Sequence, residues 1–110
     1  MAYDEKLAAR IREHVAGEPV VEKRMFGGLA FLVGGHMAVA ASGKGGLMVR
    51  VEPAETDVLL GEPGAEPFEM GGRGGMKGWL RVSADAVSDD EDLARWVDRG
   101  LAYARSLPPK

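Results

Sequence analysis

The sequence predicts an α+β fold: an antiparallel sheet, a meander with β-hairpins, packed with N-terminal, short middle and C-terminal helices. Three observations carry this. Apolar residues recur at helical spacing near both ends of the chain and alternate in strand fashion between them. The connections between the alternating segments are too short for parallel crossovers. At 110 residues, the chain is read as one domain over 1–110.

The first helix is expected over Asp4 to Ala16. Leu7, Ile11 and Val15 recur every four residues, with Ala8 and His14 beside them. Asp4 suits the N-cap and Gly17 the C′ position, and Glu18-Pro19 stops the helix. A strand follows over Val21 to Phe26. Leu29, Phe31 and Val33 then share one face of a second strand. Gly34-Gly35 can take the positive φ angles of a two-residue hairpin turn. Met37, Val39 and Ala41 continue on the partner strand. "SGKGG", Ser42 to Gly46, is a second turn, and Leu47, Val49 and Val51 mark another strand.

Pro53 suits the first turn of a short helix over Ala54 to Leu60, ended by Gly61 and Pro63. A short strand is expected around Pro67 to Met70, and another over Gly78 to Val82. "SDDE", Ser88 to Glu91, reads as a capping box. The helix it opens places Leu93, Trp96, Val97 and Leu101 on one face, with Ala104 a turn further, and Pro108-Pro109 stop it.

Composition excludes several kinds of chemistry. No cysteine occurs, which removes disulfides, thiolate metal sites and a cysteine nucleophile. The two histidines, His14 and His36, have no partner at metal-ligand spacing, so no metal site is expected. No nucleophile elbow or S-x-x-K pattern is present, so no catalytic residue is assigned and the chain reads as a non-enzyme. No cofactor motif appears either. The net charge is -3, against the basic excess of a nucleic-acid binder. Direct binding through Lys44, Arg50, Arg73, Lys77 and Arg81 is therefore disfavoured. The longest apolar stretch, Leu29 to Val33, is too short to span a bilayer, and the N-terminus is charged from residue 4. A cytoplasmic protein without a membrane partner is expected.

One stretch invites a chemical reading. In "EMGGRGGMKGWLRV", five of the eight residues from Gly71 to Gly78 are glycine. Arg73 and Lys77 sit among them and Trp79 follows. The Walker loop fails, because Met76 precedes Lys77 and Gly78 follows it. The dinucleotide fingerprint fails at its last glycine. Both also need a helix at the loop, whereas "WLRV" is strand-like. A backbone nest helped by Arg73 and Lys77 could still hold an anionic metabolite. The alternative is a connector before a strand, the commoner use of such glycines. "RMFGG" offers the same choice. Arg24 and Phe26 could present a recognition surface, or Gly27 and Gly28 could answer a backbone need for a bend or bulge.

The segments "MAYDEKLAARIREHV", "KRMFGGLAFLVGGHMAVAAS", "LMVRV", "GGMKGWLRV" and "LARWVDRGLAYARSLPP" occur in an order that closely resembles the TfoX/Sxy N-terminal domain family. The most specific parts are Arg24 to Gly28 and Met76 to Val82. Relatives often carry G-R-P-M-K-G, where this chain has "GRGGMKG", a looser run. The resemblance implies a curved antiparallel sheet flanked by helices. It also implies a regulatory role: members named for competence regulate DNA-uptake genes alongside a transcription factor and carry a second, C-terminal domain. This chain reads as a stand-alone N-terminal domain. The expected function is thus a regulatory, protein-interaction module, with a protein partner such as the transcription machinery and self-association into a homodimer through an exposed edge strand. The candidate partner-binding residues are Arg24, Phe26, Gly27, Gly28, Arg73, Lys77 and Trp79. The alternative is a small-molecule sensor in which the 71–78 loop closes on an anionic metabolite.

Overall fold

The computed structural model describes residues 4–25, 27–43, 45–68 and 78–108. Helix α1 spans Glu5–His14. The Asp4 carboxylate caps it, accepting the Lys6 and Leu7 amides at 3.0 and 3.1 Å. This satisfies two of the donors that the first turn leaves unpaired. Leu7, Ala8, Ile11 and Val15 form its buried stripe. Gly17 then takes φ 91° and turns the chain away.

Among the described residues six strands follow: β1 (Val20–Met25), β2 (Gly28–Val33), β3 (His36–Ala41), β4 (Leu47–Arg50), β5 (Ala65–Pro67) and β6 (Trp79–Val82). They form one antiparallel sheet in the order β1-β2-β3-β4-β6-β5. The first four run as a meander. β6 then adds to β4, which leaves β5 on the outer edge. Gly34 and Gly35 adopt φ 59° and 87°, as a two-residue hairpin turn requires. Between β4 and β5 a 3₁₀ turn over Pro53–Glu55 leads into α2, Thr56–Leu59. The short middle helix is therefore half 3₁₀. A second 3₁₀ turn over Asp85–Val87 leads into α3, Asp90–Ser106.

Three expectations need correction. Met37 does not share a face with Val39 and Ala41. The β2–β3 register shifts between Phe31 and Leu32, so Phe31 faces Val39 while Leu32 faces Met37. Ala38 is the extra residue of this bulge, and it turns Met37 to the opposite face. Ser88 does not cap α3. It lies in helical conformation at the end of the 3₁₀ turn, so the extended N-cap position falls to Asp89, which makes no side-chain cap bond. The strand expected around Pro67 to Met70 lies earlier, at Ala65–Pro67; Glu69 and Met70 are outside the described residues.

Both long helices lie on one face of the sheet. Phe31, Val39, Leu47, Val49, Leu80 and Val82 meet Ile11 of α1 and Leu93, Trp96, Val97 and Leu101 of α3 in the main core. α3 approaches so closely that a Cβ on Gly100 would lie 2.4 Å from the Ala38 carbonyl oxygen and 2.8 Å from Val39 Cγ1. Only glycine permits that contact. On the opposite face Ala30, Met37, Ala40 and Met48 form a second, smaller cluster, with Met25, Leu32, Phe68 and Trp79 packed against it. Among the described residues no helix is long and apolar enough to cross a membrane.

Candidate partner-binding surface

The β1–β2 hairpin carries Arg24, Gly27 and Gly28. Gly27 takes φ 74°, a conformation that disfavours other residues. A Cβ on Gly28 would stand 2.3 Å from the Ala41 carbonyl oxygen. Both glycines therefore answer a backbone need. Arg24 is exposed. Its cross-strand row runs through Leu29, Ala41, Leu47 and Val82, all of them core residues on the helix-covered face. Arg24 thus points to that side, beyond the cover of the helices.

Trp79 lies on the other side. It faces Arg50 across the β4–β6 ladder and packs against the smaller cluster. The structure does not bring Arg24 and Trp79 onto one surface, because the parity of their rows puts them on opposite faces. Phe26, Arg73 and Lys77 lie outside the described residues, as does Lys44. So does the 71–78 loop up to Lys77.

What gathers on the helix-free face, the one that no helix of the described residues covers, is a different set. The Arg50 guanidinium carbon, at the end of β4, stands 5.3 Å from the centroid of the Trp79 ring and 5.6 Å from that of Tyr103, which reaches it from α3 on the covered face. A cation between two aromatic faces is held by their quadrupoles. Phe68 extends the group, its ring centroid 6.2 Å from that of Trp79 at a tilt of 41°. Arg81 lies opposite Met48 on one side and Glu66 on the other, and its Nη2 donates to the Gly45 carbonyl at 3.0 Å. Of the cations read as a candidate nucleic-acid set, Arg50 and Arg81 therefore share a face with Trp79. Alternation within β6 could have put Arg81 beside Trp79, whereas the addition of Arg50 depends on β6 pairing with β4. The Tyr103 contact could not be read from sequence, since it comes from the far end of the last helix.

Trp79 is set in place from behind. The Gly78 amide donates to Thr56 Oγ1 at 2.8 Å, a buried bond, and the Val51 amide donates to the Gly78 carbonyl at 2.9 Å. Thr56 Oγ1 in turn donates to the Pro53 carbonyl at 2.9 Å. The entry to β6 is thus tied to the 3₁₀ turn. Behind this knot lies a groove of about 300 Å³ between the turn, α2 and α3, walled by Val51, Leu59, Arg99 and Tyr103 with Glu52 and Glu55 at its lip. Arg99 Nη2 donates to Glu62 at 2.7 Å, and Arg95 lies 3.7 Å from the same carboxylate. The Arg99 hydrogen bond is the main reason the Glu62 carboxyl titrates below its ordinary value, against the opposing effect of partial burial.

A second cleft, about 340 Å³, lies between α1 and α3. It is crossed by Arg10–Asp90 at 3.0 Å and bordered by His14–Asp98 at 2.9 Å. His36, the other histidine, donates from Nε2 to the Pro108 carbonyl at 2.7 Å. Both histidines therefore serve tertiary contacts. Among the described residues no three His, Asp or Glu side chains gather where they could hold a metal ion.

The family model for the TfoX N-terminal domain matches residues 13–104. The chain belongs to the TfoX N-terminal domain family. The match begins near the end of α1 and closes within α3, so the six strands of the sheet all fall inside the TfoX N-terminal domain. Comparison with the curated proteins and with the solved structures returned no match.

Proposed function

We propose that this TfoX N-terminal domain is a non-enzymatic regulatory module that acts by contacting a protein partner, as the family's competence regulators imply. The observation that supports this is the helix-free face, where Trp79 and Phe68 pack against one side of a small apolar cluster with Arg50 and Arg81 beside them. Arginine and tryptophan around an apolar centre is the composition favoured at the energetic centres of protein interfaces. The partner we infer is a component of the transcription machinery, met in the cytoplasm.

The test is affinity capture from the native cell extract, with wild type beside an Arg50→Ala/Trp79→Ala variant and an Arg24→Ala variant. The expected result is a transcription protein retained by wild type and by Arg24→Ala, and lost by the double variant. Equal retention by all three would reject this face as the contact. A captured set without any transcription protein would reject the regulatory reading.

A further inference from the structure

We propose that the protein self-associates into a weak homodimer by antiparallel pairing of β1 with β1 of a second copy, in the register that places Lys23 opposite Lys23. This inference stands apart from the preceding reading, because β1 lies at the far edge of the sheet from Trp79.

The two sheet edges are protected unequally. β5 has three residues, one of them Pro67, and proline offers no amide for pairing. β1 has six residues and no proline, and among the described residues it pairs only with β2. Its four central residues, Val21, Glu22, Lys23 and Arg24, are all exposed, Val21 at 66%. An edge of this length presents a row of unpaired backbone donors and acceptors to any complementary strand.

The side chains select the strand and the register. Alternation, fixed by the β1–β2 pairing, sets Val21, Lys23 and Met25 on the helix-free face and Val20, Glu22 and Arg24 on the other. A two-fold axis normal to the sheet keeps each face continuous, so only residues of like parity can meet. With Lys23 on the axis, Glu22 meets Arg24 of the second copy twice over, and Val21 meets Met25 twice over. One like-charge pair, Lys23 with Lys23, opposes these four. With Glu22 on the axis, Glu22 meets itself, Val20 meets Arg24 and Val21 meets Lys23, so no pair is complementary. Cross-strand pairs of opposite charge and of apolar residues are comparably favourable, and like charges directly opposite are unfavourable. The Lys23 register therefore wins. Arg24 has no ion-pair partner among the described residues, and the pairing supplies one. Glu22 already receives Arg12 Nε and Nη2 at 2.6 and 2.8 Å, so Arg24 of the second copy would complete an arginine–glutamate–arginine arrangement. The single lysine pair and the small contact of two short strands keep the association weak and reversible.

The register yields a test that no other pairing satisfies. Lys23→Glu replaces one like-charge pair by another in its own homodimer. Mixing the variant with wild type instead sets the introduced carboxylate of one copy against Lys23 of the other. Sedimentation equilibrium of wild type, of the variant and of an equimolar mixture should show the mixture associating about tenfold more tightly than either alone. Arg24→Glu should weaken wild-type association by about tenfold, since both Glu22 pairs become repulsive. Both positions are exposed, and circular dichroism of each variant should match wild type. A mixture that behaves as the average of its components overturns the register. Wild type and mixture both remaining monomeric at about 1 mM overturn the dimer.

Discussion

On the helix-covered face, α1 and α3 bury Phe31, Val39, Leu47, Val49, Leu80 and Val82 against Ile11, Trp96 and Val97, and every one of these side chains is essentially inaccessible. On the opposite face the central residues are small or flexible, Ala30, Ala40, Met37 and Met48, and around them stand Met25 and Leu32 on one side and Phe68, Trp79 and Arg50 on the other. The same strands build both faces, so backbone pairing is common to them. The difference lies in what the alternate residues are. Large branched and aromatic side chains on one face demand cover by helices. Alanines on the other allow the surrounding side chains to close over the strands at low relief. Stability is concentrated on one side of the sheet, and the recognition we propose belongs to the other.

Four substitutions would break or sharpen that contrast. The largest effect is expected for Trp96→Ala, which empties the centre of the helix-covered face and should cost about 3–5 kcal/mol in denaturant titration. Gly100→Ala should follow at about 2–3 kcal/mol, because the added methyl has no room between α3 and the Ala38 carbonyl; overpacking outweighs the helix preference for alanine. Met48→Ala, on the other face, should cost about 2 kcal/mol by the same titration. A loss equal to that of Trp96→Ala would make the two faces energetically equivalent and remove the contrast.

The smallest effect concerns the rim of α3. The Arg99 hydrogen bond holds the folded-state Glu62 carboxyl below its ordinary value of 4.5. A depressed folded value means a contribution to stability that is fully present above about pH 4.5 and is lost as pH falls through the folded value. Glu62→Gln should therefore lower the melting temperature at neutral pH by the equivalent of about 1 kcal/mol or less. The gap between variant and wild type should close as the pH is taken below 4.5. A gap that stays constant with pH would show that the Glu62 pairing does not contribute through its charge.

Much of this architecture was legible in the sequence, for reasons that differ by element. The first helix was readable because Asp4, the Leu7–Ile11–Val15 stripe and Gly17 are local signals. The Gly34-Gly35 turn was readable because two positive φ angles in succession call for glycine. The Ala38 bulge was not. Nothing in "HMAVAA" marks which residue will be extra, since the shift is settled by the fit of β3 between β2 and α3. The capping of α3 was misread for a related reason. "SDDE" satisfies the local pattern at Ser88, but the preceding 3₁₀ turn consumes that residue in helical conformation. The candidate surface fared least well. Arg24 and Trp79 are both distinctive in sequence, yet facing depends on counting across the sheet from β1 to β6, and that count puts them on opposite sides. The placement of β6 beside β4 rather than beyond β5 at the edge completes the count, and no local signal announces it.

The contact between Gly100 and the bulge has a consequence for how this sequence can change. The missing side chain on α3 and the extra residue in β3 are two halves of one fit, far apart along the chain. Either half altered alone leaves a clash or a gap. A chain that straightened β3 by losing the residue at 38 would keep Met37 opposite Leu32, withdraw the carbonyl that now excludes a methyl at position 100, and could then accept alanine there. The two sites should therefore drift together or not at all. A variant library randomised at both positions, and allowing the deletion, should return glycine with the bulge or a larger residue without it, and few survivors between.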